Sequence, residues 1–238
     1  MSKLHIICPV KDALTTGLRT IEHIMDSKLE IPLELFVYND FSSTENTEQL
    51  HAYSEEKGFT LINLKDITSH PSPNYLLVLQ TAQKKAISED AHLLIVESDV
   101  MVKKNTIQNI YNQVEIQSRP GMIAAVTTDE KGEINFPYLY AKKFRQMIIS
   151  TNKRLSFCCT LLTNDLLKSY DFNQLNPEKN WYDVFISHQS KALGFNNYLM
   201  TNLPVIHLPH SSRPWKKLKY TNPLLYYWRK FTQKRDRI

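Results

Sequence analysis

Residues 92–100 read HLLIVESDV, an apolar stretch too short for a helix that ends in two acids, Glu97 and Asp99, on either side of Ser98. Four to eight apolar residues stopped by polar ones read as a buried strand and its exit. Working outward, similar short apolar runs occur at 4–10 (LHIICPV), 33–38 (LELFVY), 59–64 (FTLINL) and 122–128 (MIAAVTT). Between them lie helical patterns near 13–26, 45–57, 74–88 and 103–116. Strands alternating with helices predict βαβ units, so the fold class is α/β: one Rossmann-like domain with a mainly parallel central sheet. In such sheets ligands bind outside the carboxyl ends of the strands, which directs attention to the residues just after each strand.

After residue 130 the pattern becomes irregular. NFPYLYAKKF (135–144) is aromatic-rich, LSFCCTLL (155–162) is apolar, a helix is expected near 181–193, and LPVIHL (203–208) reads as a last strand. The expected organisation is one domain over 1–212, divided near residue 128, followed by a tail over 213–238.

Composition narrows the function classes. The chain has 238 residues, 42% hydrophobic and 22% charged, enough for one large domain with its own core. Its five glycines, Gly17, Gly58, Gly121, Gly132 and Gly194, lie too far apart to write either G-x-G-x-x-G or a P-loop, so any nucleotide must be held another way. Cys8, Cys158 and Cys159 suit reduced core thiols better than a disulfide framework. The opening MSKLHIICPV lacks the features of a secretory signal and no run approaches a membrane span, so a cytoplasmic location is expected. Residues 213–238 hold nine Lys or Arg against one acid, a net of +8; the whole chain is +5, which leaves −3 on residues 1–212. With Trp215, Tyr220, Tyr226, Tyr227, Trp228 and Phe231, this tail has the composition of a segment lying on an anionic membrane surface. A solvated tail packing its aromatics on its own domain is the plainer alternative, and nucleic acid is not the expected partner.

Glu97 and Asp99 stand two positions apart and are expected to point to one side of the backbone. Carboxylates so placed suit a hard divalent cation, Mn²⁺ or Mg²⁺, which keeps few protein ligands and binds substrate phosphates. They could equally solvate a strand end. After the second strand, FVYNDFSSTENT places Asn39 and Asp40 before a Ser/Thr-rich turn; Asp40 could accept a hydrogen bond from a base or ribose, or serve the turn and helix cap.

In this order and spacing, these segments resemble the family 2 glycosyltransferases of the GT-A fold, over most of residues 3–210. The opening strand ends in Pro9-Val10 as the family's does, NDFSSTENT is similar to its D-D-G-S-T-D-x-T segment with Phe41 for the glycine, and ESDV is similar to its D-x-D motif. WYDVFISHQSKALGF (181–195) resembles its E-D-v-D-l-x-x-R-x-x-x-x-G helix. The resemblance implies that residues 1–128 bind a nucleotide-sugar, with Pro9, Val10, Asp40, Glu97 and Ser98 as donor contacts, and that residues 129–212 bind the acceptor. It implies Asp99 as a metal ligand and Asp183 as the general base of an inverting transfer. His207, rather than His210, would complete the metal site or touch the diphosphate, although a histidine on an apolar strand can also be a core residue. Lys11, Tyr182 and Gln189 depart from the family pattern.

Helical spacing independently predicts that Trp181, Val184, Phe185, His188 and Ala192 face the core, with Asp183, Ser187 and Ser190 opposite, toward a cleft. The alternative makes Asp183 a capping-box acid with Asn180 as N-cap. Cys158 and Cys159, in an apolar strand with no C-x-x-C partner, do not suggest zinc. The function expected is metal-dependent, inverting transfer of a sugar, with a UDP-sugar as donor, to a glycan or lipid-linked acceptor in cell-envelope assembly. A catalytically degenerate binding protein on the same fold is the alternative. A nucleotidyltransferase would need a glycine-rich loop after the first strand, which CPVKDALTTG lacks.

Overall fold

The structure, a computed structural model, describes residues 3–179, 181–208 and 222–232. Nine strands form one sheet: β1 (Lys3–Val10), β2 (Glu34–Asn39), β3 (Thr60–Asn63), β4 (Ala91–Val96), β5 (Val100–Met101), β6 (Pro120–Thr128), β7 (Ile148–Ser150), β8 (Cys159–Leu162) and β9 (Asn196–His207). The order is β3-β2-β1-β4-β8-β6-β9-β5, with β7 also paired to β9. β1 to β4, β6 and β9 share one direction, and the short β5, β7 and β8 run against it. The sheet is therefore mainly parallel, as the alternating pattern predicts.

Among the described residues, seven α-helices accompany it: α1 (Leu14–Met25), α2 (Thr44–Lys57), α3 (Tyr75–Ser88), α4 (Thr106–Ile116), α5 (Asn164–Ser169), α6 (Tyr182–Ala192) and α7 (Pro223–Thr232). Because side chains alternate across a strand, the continuous apolar runs fill two cores. Ile7, Tyr38, Leu93 and Ile95 face one core with Val78 and Leu79 of α3 and Ile186 of α6. Ile6, Cys8, Val37, Leu94 and Val96 face the other with Ile21 and Ile24 of α1 and Ile107 and Ile110 of α4.

Three sequence readings change. The run 155–162 is a strand only over Cys159–Leu162, antiparallel to both β4 and β6, so it delivers Cys158 to the edge at which β4 ends. The last strand begins at Asn196, before the 203–208 run, since β6 pairs with it from Asn196 to Ile206 through register shifts between Pro120 and Met122 and between Ala125 and Val126. On α6 the buried residues are Tyr182, Ile186, Ser187 and Ser190 together with Val184, which the helical spacing predicts; Trp181 and Phe185 are only half-buried, and His188 and Ala192 are exposed. The serines win because the partner surface is itself polar. Asn197 accepts from Ser190 Oγ at 2.6 Å and donates to the Ser187 carbonyl at 2.8 Å, while Ser187 Oγ accepts from the Leu155 N–H at 2.9 Å. Gly121 completes the contact: a Cβ there would lie 2.2 Å from Ser190 Oγ, so β6 could not approach α6 this closely with any other residue.

Candidate active site

The carboxyl edge of the sheet carries the residues of interest. At the end of β1, the Val10 carbonyl accepts from the Asp40 N–H at 2.8 Å, joining the first two loops. Val10 is buried, Pro9 is half-buried opposite Tyr38, and the side chain of Ser98 faces Gly17 of α1. Lys11 donates to the Phe41 carbonyl at 3.0 Å. Asp12 accepts from the Ser43 N–H at 3.0 Å, and this bond first, then Asn46 and Lys11, holds its carboxyl below the usual range. Asp12, Ala13 and Phe41 all adopt left-handed backbone, a conformation that costs of order 1–3 kcal/mol in non-glycine residues and concentrates at ligand sites.

Asp40 is buried, and its carboxylate holds a third loop. It accepts from Ser72 Oγ at 2.7 Å, from the Asn74 N–H at 3.0 Å and from Asn74 Nδ2 at 2.8 Å. Asp40 thus anchors the residue that precedes α3. Tyr75, the first residue of α3, stacks on Tyr182 at 6.3 Å between centroids and lies 6.3 Å from Phe157. A chain of contacts therefore runs from Asp40 to α6, which carries Asp183.

Glu97 and Asp99 leave β4 in a turn closed by the Val100 N–H on the Glu97 carbonyl at 3.1 Å. Their spacing is therefore set by a turn, not by strand alternation. Val100 of β5 pairs with His207 of β9, which brings His207 Nε2 within 3.6 Å of Asp99 Oδ2. His207 is 3% exposed, and its Nδ1 lies 3.0 Å from the Phe136 carbonyl, an acceptor only. The Phe136 carbonyl can only accept, so it takes the Nδ1 proton and orients the ring with Nε2 facing Asp99. Cys158 lies on the other side, its Sγ 3.5 Å from Glu97 Oε2. Burial first, then Glu97, pushes this thiol far above its ordinary range. Ligand atoms of Glu97, Cys158 and His207 all lie within 4.8 Å of one another. An imidazole nitrogen facing a buried carboxylate at 3.6 Å is a donor pair that fits a divalent cation, so Asp99 and His207 would hold it.

Asp183, in the first turn of α6, is 17% exposed at its side chain; Oδ2 is 3.3 Å from the Arg154 guanidinium and Oδ1 accepts from the Val184 N–H at 2.9 Å. The helix N-cap is Trp181, without a side-chain cap bond, and Asn180 and His210 lie outside the described residues. Tyr138 connects the two halves: its hydroxyl accepts from the Ser156 N–H at 2.8 Å, while Cys158 and Asp183 both add to the rise that burial causes in its pKa. Asp40 is thus joined to α6 through Asn74, Tyr75 and Tyr182, and Asp99 to β9 through His207. Cys158, Arg154 and Asn74 were not legible in the sequence, because each becomes a neighbour only through long-range pairing.

No known family profile matches the sequence, and no curated protein resembles it in sequence. Solved structures do resemble its fold. The mannosyltransferase PcManGT from Pyrobaculum calidifontis, in complex with GDP-Man and Mn²⁺, superposes with a TM-score of 0.67 at 12% identity, covering 98% of this chain and 64% of that one. S. aureus TarS 1–349 in complex with UDP-GlcNAc gives 0.67 at 15% identity over 89% and 60%. GalNAc-T7 with UDP, GalNAc and Mn²⁺ gives 0.65 at 12% identity over 89% and 45%. The chain thus spans about half to two thirds of the length of these structures. Together with the strand order, these likenesses establish that the chain has the GT-A fold.

Proposed function

We propose that this chain is an inverting, metal-dependent glycosyltransferase that moves a sugar from a nucleotide-sugar, with UDP-sugars the first to test, to a glycan or lipid-linked acceptor. The observation that carries the reading is the meeting of Asp99 and His207 at 3.6 Å at the carboxyl edge of a GT-A sheet. Asp99 and His207 hold Mn²⁺ or Mg²⁺, and when bound the cation supplies positive charge against the diphosphate leaving group. Pro9, Val10 and Asp40 border the donor, and Glu97 and Ser98 contact its sugar side. Asp183 takes the proton of the acceptor hydroxyl at an Oδ lone pair, a contribution typically worth about 10² to 10⁴ in rate. Arg154 and the Val184 N–H orient that carboxylate.

On the acceptor side, Phe136, Leu139, Phe144 and Met147 are exposed among Lys142, Lys143, Arg145 and Lys153, a surface suited to a lipid-linked or anionic acceptor. α7 likewise exposes Leu224, Tyr227 and Trp228 on one face, in keeping with a peripheral place at the inner membrane surface in envelope assembly. Among the described residues, no helix is long and apolar enough to cross a membrane.

The test compares thermal stabilisation by UDP-, GDP- and CMP-sugars, with and without Mn²⁺, in the wild type and Asp99→Asn. Metal-dependent stabilisation that disappears in Asp99→Asn is expected, and indifference to every nucleotide would sink the reading in favour of a non-catalytic protein. With a donor in hand, Asp183→Asn should bind it and fail to transfer.

A further inference from the structure

The metal site contains a donor that nothing in its function explains. Cys158 is 2% exposed, with its sulfur beside the Glu97 carboxylate and within 4.8 Å of a ring nitrogen of His207. An apolar side chain of similar size would fill this volume without placing a polar sulfur beside an acid. Four ligands on one small ion lie about 3.3–3.8 Å apart, the edges of a tetrahedron with metal–ligand distances of about 2.0–2.3 Å. Cys158 and Glu97, at 3.5 Å, and Asp99 and His207, at 3.6 Å, are each spaced as two ligands of one ion; Glu97, Cys158 and His207 lie within 4.8 Å of one another, and Asp99 reaches that group through His207.

We propose that Cys158 is a ligand of the cation held by Asp99 and His207, with Glu97 as a further donor, and that the site thereby favours a thiophilic ion of the zinc class over Mg²⁺. The inference rests on the metal-dependent reading above and narrows it. A sulfur and an imidazole select borderline ions such as Zn²⁺ and Co²⁺, whereas Mg²⁺ requires oxygen ligands in near-ideal octahedral geometry. On binding, the thiol loses its proton, for which the adjacent Glu97 carboxylate is the nearest acceptor. The antiparallel direction of β8 makes this possible, because it brings the start of that strand to the edge where β4 and β9 end.

The experiment titrates Co²⁺ into metal-stripped full-length protein and records the near-ultraviolet thiolate-to-cobalt charge-transfer band and the visible d–d bands. The wild type should show both, and Cys8→Ala/Cys159→Ala should keep them. Cys158→Ala should lose the charge-transfer band, with a fall of about ten-fold or more in Co²⁺ and Zn²⁺ affinity and a smaller fall for Mn²⁺. Cobalt binding by the wild type without the charge-transfer band overturns the role of Cys158 alone, even if Cys158→Ala fails to fold. A charge-transfer band that survives in Cys158→Ala overturns it as well. Failure of the wild type to bind Co²⁺, Zn²⁺ or Mn²⁺ overturns both this inference and the metal-dependent reading.

Discussion

Replacing Asn197 by alanine tests how α6, and with it Asp183, is held. Asn197 is fully buried and spans the gap between β9 and the helix, accepting from Ser190 Oγ at 2.6 Å and donating to the Ser187 carbonyl at 2.8 Å. Ser187 in turn donates to the Asp183 carbonyl at 2.6 Å, so the network ends at the residue proposed as base. Alanine removes two hydrogen bonds of about 1 kcal/mol each and leaves the buried Ser190 hydroxyl without this acceptor, which adds about 1–2 kcal/mol. The expected loss is about 3–4 kcal/mol. In a chain of this size each kcal/mol shifts the melting temperature by about 2–4 °C, so the midpoint should fall by roughly 6–16 °C. Urea denaturation followed by circular dichroism, with calorimetric melting, measures both quantities. Asn202→Ala, exposed on the same strand, serves as control and should stay within about 0.5 kcal/mol. A shift below about 2 °C for Asn197→Ala would refute the argument that polar pairing, not apolar packing, docks this face of the helix.

Asp40→Ala should destabilise the protein by about 3 kcal/mol in the absence of any ligand, since three donors from Ser72 and Asn74 lose a buried carboxylate; unchanged urea midpoints would show that Asp40 anchors nothing. The His92 ring is buried, its Nδ1 accepts from the Asn164 N–H at 2.9 Å, and burial lowers its pKa below 6.5. Below pH 6.5 the unfolded chain therefore binds more protons than the native one, and stability should drop as pH falls through 6.5 toward the lower native value. Urea midpoints at pH 7.5 and 5.5 should show this loss, reduced in His92→Gln; an equal loss in that variant would discount His92. Full-length protein should bind anionic liposomes and release them at high salt, whereas a variant lacking residues 213–238 should not bind; equal binding would remove the tail from membrane association.

The strand order up to β4, the acids at its edge and the helix carrying Asp183 follow from local signals: apolar runs of strand length, turn residues after them, and helical spacing between them. Those signals are properties of neighbouring residues, so one sequence suffices to read them. The face of α6 was misjudged because hydrophobic periodicity assumes an apolar partner, and Asn197 and Gly121 supply a polar, closely approaching one. β5 and β7, two and three residues long, carry too little pattern to be seen before their pairing with β9 is known. The sequence by itself determined that carboxylates would stand at the carboxyl edge of a mainly parallel sheet. Only the tertiary structure decided which of them meet His207 and Cys158, because antiparallel β8 and the late β9 bring together residues far apart in the chain, and no local propensity encodes that pairing.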